Sequence, residues 1–548
     1  MPRTANYSEI RRPSLRPARA EPSRSRQSAA ELLLGCLLVL GAGCQQPLRT
    51  AQHELDRYCQ AAVDDLDLPD QDPIQPVSHQ SPAEPEPVPA GPAVLEPVPE
   101  PRLALSDVVQ AVYESYPLLE VAQREQEIAA GKELAAWGEF DTGLKAYSLA
   151  DPMGYYQRYR NVVLLDQPLP GGGEAFAGYK LGRGNFHPYA YEQETNRGGE
   201  FSAGIGVPLL KDRLIDKRRG GVAQAALARQ AVEPAVQAQL LDFVREASQA
   251  YWYWVATGQA LQAQQQLLTL ARDRVQQIEQ RVQSGDLERI ARIDNQRLIA
   301  SREAKVIDAQ RKLQAASIKL SLFLRESDGQ PLVPDASLLP GGFPGHTPLE
   351  AEQTEGDIQA ALAARPELVE LDLLAQQANV ELAQAENMLL PKLNAILEAS
   401  QDVGESAFPN RSKSPFTFEA GFLGEVPLQR REARGKLAAA RGKLAQLRAK
   451  REFVANKIAA QVQDAVSALE AASGKIEQTA KNLDLSRQSL ALGREAFNAG
   501  DIDLIVLNIY EQAVADAQLS WLDAQAEYFA AQADYQAALA LDPLSGRD

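Results

Sequence analysis

Apolar positions along the chain keep two rhythms. Over 213–283, 287–324, 433–499 and 504–541 they recur at heptad-like spacing, in stretches rich in Ala, Gln, Leu, Glu and Arg and poor in Gly and Pro. Strong helix formers at that period predict amphipathic helices, and a further helix is expected over 104–138. A helix of ~68 residues is ~100 Å long, a length that suits coiled coils and tubes rather than globular domains. The second rhythm alternates. Phe201, Ala203, Ile205 and Val207 stand against Ser202, Gly204 and Gly206, and Phe416, Phe418, Ala420 and Phe422 stand against Thr417, Glu419 and Gly421. Such strands are apolar on one side only, as in a half-buried soluble sheet or a barrel with lipid outside and water inside.

Three landmarks recur in the same order. Ala111-Val-Tyr-Glu-Ser-Tyr-Pro117 matches Ala361-Leu-Ala-Ala-Arg-Pro366 with one gap, Val207-Pro208-Leu209 matches Val426-Pro427-Leu428, and Ser284-Gly285-Asp286 matches Ala499-Gly500-Asp501. The offsets are 249, 219 and 215 residues, so the first copy carries extra residues between its Pro and its Val-Pro-Leu. Two copies of one unit (helix, strand, loop, strand, long helix, tight turn, helix) account for most of the chain. The extra segment falls over 149–199. Gly171-Gly172-Gly173 inside it is followed by no Gly-Lys-Ser/Thr, so it reads as a hairpin turn and not as a phosphate loop.

The first 31 residues carry seven Arg and three Glu and lead into an apolar run that ends at Ala42-Gly43-Cys44. A basic segment, a short apolar core and small residues before a Cys predict a secretory signal. Either Cys44 is acylated after cleavage, as in a lipoprotein, or cleavage falls nearby without lipid. Cleavage removes those seven Arg and three Glu and takes the net charge from −17 to −21. Eleven Pro over 69–101 then form an extended tether. The expected division is signal 1–43, tether 44–102, first unit 103–328, Pro/Gly-rich connector 329–353, second unit 354–541 and tail 542–548.

Composition narrows the function. The 548 residues include only 4 His and 3 Cys, and the His (His53, His79, His187, His346) are scattered. A His/Cys metal cluster and His-based catalysis are disfavoured, and no cofactor is expected. The acidic balance disfavours a nucleic-acid partner. After the signal no apolar run is long enough for a membrane helix, so a membrane-crossing segment must be a β-barrel. Tyr251-Trp252-Tyr253-Trp254 lies mid-helix, where its rings either pack between helices or form a ligand cage.

Residues 103–541 resemble the TolC family of outer-membrane efflux proteins. The marks are Arg365-Pro366-Glu367-Leu368, the two Val-Pro-Leu strand ends and the two Gly-Asp turns. The resemblance implies a mixed α and β membrane protein: a homotrimer in which each subunit gives four strands to one transmembrane β-barrel and long helices to a periplasmic α-barrel. It implies an outer-membrane location in contact with lipid, and as partners a periplasmic adaptor protein and an inner-membrane pump. It makes the chain a passive, non-enzymatic duct for efflux or type I secretion. Ser284, Gly285, Asp286, Ala499, Gly500 and Asp501 become the periplasmic tips that meet the adaptor, although ordinary helix-hairpin turns would look the same. Asp294, Asp503, Val506 and Ile509 take the aperture positions, where apolar Val506 and Ile509 replace the polar or acidic residues usual in the family. The segment 149–199 is expected at the extracellular end of the barrel. The alternative is a coiled-coil structural or adhesion lipoprotein of the envelope, without a pore.

Overall fold

The computed structural model describes residues 102–187, 193–285, 288–325, 329–346, 354–406 and 415–541. The expected signal, Cys44, nearly all of the tether, Asp286 and the tail lie outside them.

The first half begins with α1 (Leu105–Ser115) and α2 (Pro117–Trp137). The single helix expected over 104–138 is therefore two. Pro117 takes the first position of α2 and holds Tyr116 extended, at φ −74° and ψ 119°. Four strands follow: β1 (Gly143–Asp151), β2 (Arg158–Pro168), β3 (Glu174–Gly184) and β4 (Glu200–Pro208). Then come α3 (Lys217–Gln283, 67 residues) and α4 (Arg289–Leu320). The second half has the same helices and fewer strands: α5 (Thr354–Ala364), α6 (Pro366–Asn387), β5 (Lys392–Asp402), β6 (Phe416–Glu425), α7 (Arg431–Ala499, 69 residues) and α8 (Leu504–Ala538). Arg365, before Pro366, is extended as Tyr116 is. Each long helix carries the shorter helices of its half: α3 packs against α1, α2 and α4, and α7 against α5, α6 and α8, while α3–α6 and α3–α8 contacts join the halves. No helix among the described residues is long and apolar enough to cross a membrane.

The six strands form one antiparallel sheet in chain order, β1-β2-β3-β4-β5-β6. The resemblance implied four. The two additional strands, β2 and β3, come from the 149–199 segment, which is thus not a loop structure at the far end. Of its described connections, 152–157, 185–187 and 193–199 lie at the end remote from the helices. Its middle turn lies at the helical end, where Gly172 meets the backbone of Asp212 and the side chain of Arg219, and Gly173 abuts Gly206 and Pro208. The β2–β3 turn is closed by Leu169 and Gly173, with the Leu169 N–H donating to the Gly173 carbonyl at 3.0 Å.

The largest core lies midway along the helices. Trp254, fully buried, donates its indole N–H to Ser317 Oγ at 3.0 Å, and Trp252 stacks on Phe529 and Phe343. Tyr251 is buried and donates to the Leu103 carbonyl at 3.0 Å. Tyr253 is the one ring of the four left half exposed. Three of the four rings are core, and the packing reading of this motif holds.

Candidate functional site

The strand register sorts the sheet into two chemically distinct faces. The partners Leu144–Leu165, Val163–Tyr179, Tyr179–Phe201, Phe201–Gln401 and Ala399–Phe418 share one face. Along it lie Leu144, Tyr159, Val163, Leu165, Ala177, Leu181, Ile205, Leu397 and Phe422, and the only charge is Arg183, at the end remote from the helices. Phe201, Ala203, Ile205 and Val207 share this face with Phe416, Phe418, Ala420 and Phe422, as their alternation predicts.

The opposite face is charged. It holds Lys145, Asp151, Arg158, Arg160, Asp166, Glu174, Lys180, Glu398, Glu419 and Glu425. Three ion pairs cross it: Lys145–Asp166 at 2.9 Å, Arg158–Asp151 at 2.6 Å and Lys180–Glu398 at 3.4 Å. The last runs diagonally from β3 to β5 over β4: Lys180 stands opposite Glu200 and Glu398 opposite Gly204, and Ser202 and Gly204 between them are too small to block the contact. A sheet that is apolar on one side and ionic on the other, with strands of 9–11 residues, has the two-sided pattern of a wall between hydrocarbon and water. Neither β1 nor β6 pairs on its outer side among the described residues.

At the far end of the long helices the structure brings the two predicted turns together. Gly285 (φ 85°) and Gly500 (φ 87°) take left-handed conformations that a side chain would strain. Gly500 closes a two-bond helix end, in which the Asp501 N–H donates to Ala496 O at 2.8 Å and its own N–H to Phe497 O at 3.2 Å. The Arg281 guanidinium lies 5.0 Å from the centre of the Phe497 ring, across the two tips. Beneath it, Ile278, Ala291, Leu490, Phe497, Leu504 and Leu507 form a small core. Ser284, Gly285, Ala499, Gly500 and Asp501 are all exposed.

The four aperture candidates do not form one cluster. Asp503 caps α8, accepting the Val506 N–H at 2.9 Å. Val506 is half-buried, whereas Ile509 is 61% exposed, with Ile505 beside it also exposed. Asp294 sits half-buried on α4, 3.8 Å from Arg297.

Above the tips lies a group that sequence reasoning missed. Arg274 (α3) and Glu511 (α8) form a buried ion pair, and a second Arg274 nitrogen donates to Asn508 Oδ1 at 3.2 Å. Arg302 (α4) is buried nearby with both terminal nitrogens unpartnered, and desolvation holds its guanidinium below the usual arginine range despite the charges of Glu511 and Asp516. Arginines at buried heptad positions were the available signal. The partners are 237 residues apart.

Structures solved for other proteins share this architecture. The outer-membrane channel OprN is 15% identical, with a TM-score of 0.59 over 80% of this chain and 90% of its own. The open-state MtrE outer membrane channel of Neisseria gonorrhoeae is 18% identical, with a TM-score of 0.57 over 80% and 89%. The outer membrane protein VceC of Vibrio cholerae is 16% identical, with a TM-score of 0.56 over 80% and 96%. No protein-family model and no curated protein matches the chain. The helices and two-faced sheet thus define the mixed helix–strand fold of outer-membrane channels. Within that class, the fold is that of the TolC family.

Proposed function

We propose that the chain is the outer-membrane duct of a tripartite efflux or type I secretion system, a passive homotrimer and not an enzyme. The observation that carries this reading is the sheet: one face apolar, the other ionic, both edges unpaired among the described residues, and helices of about 100 Å leading away from it. Unpaired edges are not tolerated in lipid, so the sheet must close with other copies. Exposed apolar residues along the helices, among them Leu118, Val121, Ile128 and Leu134 on α2, suit the same association. The helices then extend the barrel as a periplasmic tunnel, with an adaptor protein at the tips around Gly285 and Gly500 and an inner-membrane pump beyond it. Acylated Cys44 would add a second membrane tie.

Closure at the tip is assigned to apolar contact. Ile505 and Ile509 are exposed in the single chain, while the Asp503 carboxylate is occupied as a helix cap. The experiment is single-channel recording of the purified protein in planar bilayers, with its mass measured in detergent. A trimer that conducts, with a closed state indifferent to millimolar divalent cations, is expected. A non-conducting monomer would return the chain to the envelope coiled-coil class. Strong divalent block that vanishes in Asp503→Ala would move the gate from the apolar pair to the carboxylate.

A further inference from the structure

The sheet carries six strands, and the trimeric reading sets what that number does. We infer that three copies close into one 18-stranded barrel, with β1 of each chain pairing β6 of the next. This rests on the trimeric duct proposed above and fixes its wall.

The added hairpin is wall and not ornament. The mainly apolar face runs through Tyr159, Val163 and Leu165 of β2, with Asn161 uncharged among them, and through Ala175, Ala177, Tyr179 and Leu181 of β3 before reaching β4. A surface excursion would not keep that face in register with the rest. An even number of alternating strands also leaves β1 and β6 pointing in opposite senses, β1 away from the helices and β6 back toward α7. Their free edges therefore meet as an antiparallel pair between identical chains, and three such seams remove every edge.

Geometry accommodates eighteen strands. Near the tips each chain presents four helices, α3, α4, α7 and α8, so a trimeric tunnel has about twelve, and at ~9.5 Å between axes its perimeter is about 114 Å. Strands ~4.8 Å apart and tilted ~40° occupy about 6.3 Å of perimeter each. Eighteen give about 113 Å, a barrel some 36 Å across between backbones, which continues the tunnel without a step. Strands of 9–11 residues are about 33 Å long and at ~40° rise about 25 Å, the height of an apolar band. At equal tilt the bore is about 1.5 times that of twelve strands, which suits bulky cargo.

The test uses the full-length protein in lipid vesicles, with single cysteines introduced at Val163 and Ala177 (apolar face) and at Val162 and Lys180 (charged face), read by reaction with a membrane-impermeant maleimide against the unsubstituted protein. Val162→Cys and Lys180→Cys should react at least tenfold faster than Val163→Cys and Ala177→Cys. Paired substitutions, Ala146→Cys with Phe418→Cys, Ala420→Cys or Phe422→Cys, should give an oxidised covalent trimer for at least one register. A trimer in which Val163→Cys reacts as fast as Val162→Cys and no β1–β6 pair cross-links would overturn the 18-stranded wall and leave the duct standing. A monomer would overturn both.

Discussion

The two halves of the chain agree in their helices and differ in their strands. Each opens with an 11-residue helix, a proline break and a helix of 21 or 22 residues, and each closes with a helix of 67 or 69 residues and its return. Between these the first half sets four strands and the second two. The difference teaches that a sheet grows in units of one hairpin. Adding β2–β3 preserves the direction of β4 into α3, so every helix keeps its place while the sheet widens. Helices allow no such freedom, because their length must match that of their neighbours along the whole contact.

The halves also solve one problem with different chemistry. Before Pro117, Tyr116 packs edge-on to Phe243 at 4.9 Å and stacks on Phe323 at 5.4 Å. Before Pro366, Arg365 is buried and donates to the Ala537 carbonyl at 2.7 Å and to Gln461 Oε1 at 2.8 Å, with Glu367 at 3.2 Å. At the next level the match is close. The Tyr251 hydroxyl fixes the chain at Leu103, just before α1, and the Tyr535 hydroxyl donates to Asp357 on α5 at 2.8 Å.

The largest expected effect tests whether the added hairpin is the same wall as the second half. Val163→Arg and Phe418→Arg should each cost about 2–4 kcal/mol per chain in lipid, and Val162→Arg far less; the yield of heat-modifiable oligomer in outer-membrane fractions reads all three. A Val163→Arg protein that assembles as well as Val162→Arg would separate the hairpin from the wall.

Next come the proline breaks. Arg365→Ala strips the Ala537 carbonyl and Glu367 of partners and should cost about 2–3 kcal/mol by urea unfolding. Arg365→Lys should recover little, because one ammonium cannot serve two acceptors and a carboxylate in the fork geometry. Tyr116→Phe keeps both ring contacts and should be nearly neutral. Equal losses for Tyr116→Phe and Arg365→Ala would erase the distinction.

At the tips the halves should behave alike. Gly285→Ala and Gly500→Ala each place a Cβ in a left-handed conformation and should lose about 1–2 kcal/mol. Gly474→Ala, mid-helix in α7 with open space around it, should gain about 0.5–1 kcal/mol in the same thermal unfolding measurement.

The smallest effect at neutral pH grows in alkali. Burial pushes both Tyr251 and Tyr535 from about 10 up to about 12. The fold favours the neutral phenols, so their stabilisation is complete below pH 10 and is lost as pH rises from 10 through 12. Stability curves of Tyr251→Phe and Tyr535→Phe should each fall less steeply over that interval than the unsubstituted protein. Unchanged slopes would mean that neither hydroxyl ties down its short helix.

Much of this was legible in the sequence. Heptad spacing located the long helices to within a few residues, and alternation assigned β4 and β6 to their faces. The break at Tyr116 was hidden because helix formers surround Pro117 on both sides. The added hairpin was legible from its turn at Gly171–Gly173, but its place within the sheet was not, because Val162-Val163-Leu164-Leu165 is apolar on both faces and blurs the period-two signal. The tips were legible because left-handed turns need Gly. The Arg274–Glu511 pair was not, since nothing local links residues so distant in the chain.

The β4–β5 pairing has a consequence in time. Strands β1 to β4 follow one another directly in the chain, so their hairpins are local, but Glu200 pairs with Asp402 across some 200 residues that include the whole of α3 and α4. Closing so long a loop is slow compared with local hairpin formation. A folding chain therefore passes through an interval in which β4 is bare, Phe201 and Ile205 on its apolar side, with its proper neighbour not yet in place. That interval is when misjoining with another copy is most easily reached, and how fast α3 and α4 fold back on each other sets how long it lasts.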